Sequence, residues 1–126
     1  MEKRPPSQRQ LRVGEEIRHV LAGILMRGDV HAPELERVSI TVSEVRISPD
    51  LKNATAYVMP LNGEQAEEML DALEYYIVPI RKMVISQINL RFAPRLNFKL
   101  DRSFDEAMKI NQLLSKPEVA RDLLKD

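Results

Sequence analysis

Apolar and polar positions alternate from Val38. Val38, Ile40 and Val42 are separated by Ser39, Thr41 and Ser43, the period of a half-buried strand. Val45 and Ile47 continue the alternation one residue out of frame, so a bulge is expected near Ser43–Glu44. Ser48-Pro49-Asp50 carries turn chemistry: proline pre-sets φ, and Ser and Asp side chains bond the nearby backbone. A second strand follows, with Ala54, Ala56 and Val58 on one face and Thr55, Tyr57 and Met59 on the other. The two alanines leave room for a helix to approach the sheet, and Pro60 and Gly63 end the strand.

The spacing changes to three and four residues on both sides of this hairpin. Val13, Ile17, Val20, Leu21, Ile24 and Leu25 form one apolar stripe, opened by a capping box at Ser7–Gln10 and stopped at Gly28. Residues 29–37 read as a connector. After the hairpin, Ala66, Leu70, Leu73, Ile77, Ile80, Val84 and Ile88 keep helical phase across Pro79. Proline lacks the N–H that a continuous helix needs there, so two helices over about 63–77 and 79–90 are expected, with Pro79 as a structural kink. Leu96, Phe98 and Leu100 alternate with Asn97 and Lys99 as a third strand, and Ser103–Glu106 reads as the capping box of a last helix ending before Pro117.

The order is α-β-β-α-kink-α-β-α, an α+β fold with a three-stranded sheet and helices packed on one face. A strand–helix–strand unit predicts that strands two and three run parallel with a right-handed crossover. This architecture resembles a type II KH domain. The expected organisation is a flexible N-terminal tail over 1–6, one KH-like domain over 7–115 and a C-terminal tail over 116–126.

Composition narrows the class. The chain has 126 residues, 44% of them apolar, which suits one domain with an aliphatic core. It contains no cysteine, which excludes a disulfide framework or a thiolate metal site and fits a reducing, cytoplasmic setting. No apolar run approaches membrane-spanning length, and the first residues lack an apolar signal core. Net charge is zero, but its distribution is uneven. Residues 62–80 hold five acids and no base, whereas residues 81–102 hold six bases and one acid, Asp101. The acids fall at helical spacing and read as a solvated face, favourable where they sit in a first turn. His19 and His31 are isolated and read as surface or structural residues. No glycine-rich phosphate loop, paired-histidine zinc motif or nucleophile elbow occurs, so no catalytic residues, metal or cofactor are expected.

The basic run differs from an ordinary surface because its signs are barely mixed. Arg81, Lys82, Arg91 and Arg95 fall on the second half of the broken helix and the following loop, a neighbourhood that faces RNA in a KH fold. Cations there contact phosphates and supply affinity with little sequence reading. Arg12 and Arg18 on the first helix and Lys99 on the third strand complete the candidate RNA-binding set. The Gly-x-x-Gly clamp of ordinary KH domains is missing, since no glycine follows Gly63.

Ser48-Pro49-Asp50-Leu51-Lys52, followed by Ala54 and Tyr57-Val58, resembles the hairpin of the ribosome-binding factor A family. Leu11–Arg18 is similar to that family's first helix and Pro94-x-Leu96-x-Phe98-x-x-Asp101 to its last strand, so the resemblance covers roughly 8–115. The family also lacks the glycine clamp and carries a kink, usually at an alanine. Pro79 in place of that alanine and Arg95 in place of an acid after the proline are departures. The resemblance implies a monomeric assembly factor that binds the immature 30S subunit and its 16S rRNA. It would assist late maturation and processing of the rRNA 5′ end by binding, without bond chemistry, a membrane or a small-molecule substrate. The competing expectation is a protein-interaction module or small dimeric regulator that does not bind RNA.

Overall fold

A computed structural model describes residues 5–61 and 65–103. The expected helix after Ser103, the C-terminal tail and most of the N-terminal tail lie outside the described residues.

Helix α1, Gln8–Arg27, begins and ends as its sequence predicts. The Ser7 hydroxyl accepts from the Gln10 N–H, the Gln10 side chain accepts from the Ser7 N–H, and Gly28 closes the helix in the left-handed conformation. Strands β1, Ile40–Ile47, and β2, Asn53–Pro60, pair antiparallel. β1 starts two residues later than the alternation suggests, and the Val38 N–H instead donates to the Leu35 carbonyl. The bulge is where the frame slips: Val42 pairs with Val58 and Glu44 with Tyr57, leaving Ser43 as the extra residue. Between the strands, the Ser48 hydroxyl donates to Asp50 and accepts from the Asn53 N–H, while Leu51 takes a positive φ of 61°.

The connector holds a helical turn that the spacing of the sequence does not reveal, α2, Pro33–Glu36. Proline opens it and Leu35 is its buried residue. The broken helix consists of α3, Ala66–Tyr75, and α4, Ile77–Ser86. This corrects the expected bounds. The break is at Tyr76 (φ −95°, ψ 17°), and Pro79 sits in the first turn of α4. In that turn no intrahelical donor is needed, so a residue without an N–H fits. The carbonyl that Pro79 would otherwise bond is four residues back, on Tyr75, beside the break. The Tyr76 hydroxyl donates to Glu34 Oε2 at 2.8 Å, tying the break to α2. α4 ends at Ser86, and Ile88 and Leu90 continue its apolar stripe from a turn and loop, half-buried against the core.

Strand β3, Arg95–Leu100, pairs parallel with β2, giving the order β1-β2-β3. Val42, Val45, Ile47, Ala54, Ala56, Val58, Leu96 and Phe98 are all buried, so one sheet face carries the core. Ile17, Leu21 and Ile24 of α1, Met69 and Leu73 of α3, and Ile80 of α4 close over it. Among the described residues no helix covers the other face, where Asn97 and Lys99 are exposed and Thr55 and Tyr57 half-buried. The result is the expected α+β architecture with helices on one side, in an order consistent with a type II KH-like arrangement.

Candidate nucleic-acid interface

Three segments far apart in sequence meet at one end of the sheet, where β1 stops and β2 and β3 start. The first turns of α1 arrive there because Gln10 Nε2 donates to the Ile47 carbonyl at 3.0 Å, placing Arg9 and Arg12 at that end, both exposed. The β1–β2 turn brings Lys52, whose carbonyl accepts from the Arg95 N–H at 2.7 Å. The α4–β3 loop brings Arg91, Phe92 and Arg95, all exposed. The balance here is strongly basic. The local acid, Asp50, is held below the usual carboxylate range by the Ser48 hydroxyl and the Lys52 N–H.

Arg81 shapes this end. Its Nε donates to the Pro94 carbonyl at 2.9 Å and its Nη2 to the Ala93 carbonyl at 3.2 Å. A planar guanidinium can hold two carbonyls in this way, which an ammonium cannot match. Pro94 and Leu96 are buried, which anchors the end of the loop where β3 begins. The Arg91 guanidinium lies over the Phe92 ring, 5.4 Å from its centroid, within reach of a cation–π attraction.

The seven sequence-derived candidates therefore divide. Arg12, Arg91 and Arg95 are exposed on the segments that reach this end of the sheet. Arg81 is committed to the loop carbonyls beside them. Lys82 is exposed on α4. Arg18 lies six residues beyond Arg12, about 9 Å along the helix and rotated by about 120°. Its guanidinium is paired with Glu15, whose carboxyl is lowered chiefly by that hydrogen bond. Lys99 is exposed on the sheet face away from the core, beside Tyr57, its partner in register. The candidate set leaves out Arg9, Lys52 and Phe92. Lys52 was visible as the basic residue of the turn, and Phe92 as an aromatic set between Arg91 and Arg95, but only the fold places them together. Among the described residues no cluster of three His, Cys, Asp or Glu side chains could hold a metal ion, and no helix is long and apolar enough to cross a membrane.

The sequence profile of the family described as Ribosome-binding factor A matches residues 9–114. The chain belongs to the ribosome-binding factor A family. The chain is 56% identical over 118 residues to the ribosome-binding factor A of Paracoccus denitrificans, covering 94% of this chain and 86% of that protein. It is 53% identical over 118 residues to the protein of the same name from a Methylobacterium species, covering 94% and 85%. Family members of known structure share the fold. The crystal structure of the Thermus thermophilus factor superposes with a TM-score of 0.63 at 23% identity, over 75% of this chain and 98% of that one. A homology model of the Thermus thermophilus factor, fitted into the cryo-EM map of a complex with the 30S subunit, gives 0.58 at 24% identity, over 74% and 96%.

Proposed function

We propose that this protein binds the immature 30S subunit and, through its 16S rRNA, assists late maturation and processing of the rRNA 5′ end. It acts by binding and leaves no covalent change of its own. The observation that carries the proposal is the identity of 56% over 94% of the chain to a ribosome-binding factor A. Two further features support it. A family member of the same fold has been fitted into the map of a 30S complex. Independently, Arg9, Arg12, Lys52, Arg91 and Arg95 are exposed on segments that reach one end of the sheet, on a chain with no net charge. Such a patch neutralises phosphates without demanding a particular base sequence. On this reading the protein is a cytoplasmic monomer that needs no cofactor.

Sedimentation tests the proposal. Tagged protein is run with a cell extract through a sucrose gradient, and the 5′ ends of 16S rRNA are mapped with and without it. The expected result is co-migration with free 30S subunits, and accumulation of 5′-extended rRNA when the protein is withdrawn. Protein that stays at the top of the gradient as a self-associated species would favour the protein-interaction module instead.

A further inference from the structure

Phe92 is 68% exposed, and it belongs neither to the core nor to the residues packed against it. Exposed side chains are common, and a lone apolar one needs no explanation. This one has three uncommon features. It stands on a loop held in place by the two Arg81 hydrogen bonds, by buried Pro94 and by the Arg95–Lys52 backbone bond. It is flanked by cations, with the Arg91 guanidinium over its ring. It also lies within the basic end of the sheet. We propose that Phe92 is a base-stacking residue: an unpaired nucleotide of the bound RNA lays its base on the ring, while Arg91, Arg95 and Lys52 hold the neighbouring phosphates. This inference rests on the reading that the protein binds ribosomal RNA, and it names the part of the RNA that is bound as single-stranded.

The chemistry favours this occupant over an apolar pocket of a protein partner. Seating Phe92 in such a pocket would strip water from Arg91 and Arg95 without supplying anions. A nucleotide meets both needs, because its base has a flat π-face and its phosphates carry the charge. Bases inside an RNA duplex are already stacked on one another, so the site selects an unpaired one. The Arg91 cation occupies one side of the ring, and a base on the other side completes a cation–ring–base sandwich. Because the loop is already fixed, little ordering opposes binding.

The chain contains no tryptophan, so Phe92→Trp supplies a single fluorescent reporter at the proposed contact. The ring is exposed, and neither Phe92→Trp nor Phe92→Leu disturbs the core. The full-length variants are titrated with a polyadenosine RNA of roughly 12 nucleotides and with an RNA duplex of the same length. The single strand should bind wild type and Phe92→Trp alike, bind Phe92→Leu about tenfold more weakly, and quench the tryptophan. The duplex should leave the emission unquenched. Wild-type affinity in Phe92→Leu, or unquenched tryptophan at saturating single strand, would overturn the inference. Either result beside normal co-sedimentation of wild type with 30S subunits removes the stacking role alone. A wild type that binds neither RNA and does not co-sediment removes the RNA-binding reading and this inference with it.

Discussion

Gly14 of α1 lies against the backbone carbonyl of Val45: a methyl group in place of its hydrogen would stand 2.6 Å from that oxygen. Val45 is the first inward-facing residue after the bulge, so the helix seats where β1 resumes its pattern. This contact sets how deeply α1 enters the core, and it carries Gln10, Arg9 and Arg12 to the end of the sheet.

Gly14→Ala should therefore destabilise the protein. Alanine improves helix propensity by about 1 kcal/mol. The clash is with backbone rather than with a side chain that can rotate away, and overpacking of this kind costs about 1–3 kcal/mol. The expected outcome is a net loss, read as a lower urea midpoint with an unchanged slope. A variant as stable as wild type would show that α1 can lift from β1 freely.

Pro79→Ala distinguishes a proline inside a helix from one in a first turn. Relieving an interior proline should stabilise by about 3 kcal/mol. Pro79 occupies the third residue of α4, where its missing N–H leaves nothing unsatisfied, so the change in urea stability should stay below about 1 kcal/mol. The Tyr76–Glu34 hydrogen bond should hold the break in place. A gain near the interior figure, with α3 and α4 merging into one helix, would mean that the proline alone maintains the break.

Much of this architecture could be read from spacing. The capping box at Ser7–Gln10, the stop at Gly28, the bulge at Ser43 and the parallel third strand all follow from local chemistry or period. Each rests on a few neighbouring residues. The misses share a different cause. The break moved to Tyr76 because proline acts on the carbonyl four residues back, not on its own position. α2 is a single turn, too short to show a period. Arg81 looked like a surface cation because nothing in its neighbourhood reveals that Ala93 and Pro94 fold back under it. Lys52 meets Arg95 only through the pairing of β2 with β3, which local spacing does not reveal.

Asp101 ties the end of β3 to β1. Its carboxylate accepts from the Ser103 hydroxyl at 2.6 Å, the Ser43 hydroxyl at 2.5 Å and the Ser103 N–H at 2.9 Å. The Ser103 and Ser43 hydroxyls hold this carboxyl below its ordinary range. A carboxyl depressed in the folded state contributes fully above its unfolded value of about 3.9, and the contribution is lost as pH falls through that value towards the folded one. Urea stability should therefore fall more steeply below about pH 4 in wild type than in Asp101→Asn. Parallel curves for the two proteins would show that the carboxylate carries no stability of its own.

We propose that the basic end of the sheet is the RNA surface, and the salt dependence of 30S binding reads out its phosphate contacts. Lys52, Arg91 and Arg95 are replaced together by alanine, while Arg81 is kept so that the loop holds its shape. The Arg95–Lys52 bond is between backbone groups and survives the change. Affinity for purified 30S subunits is then measured over a range of salt concentrations. Each phosphate deprived of its cation should lower the slope of log affinity against log salt by about one, so the triple variant should bind more weakly and with a slope flatter by up to about three. A folded triple variant with wild-type affinity and an unchanged slope would contradict the claim.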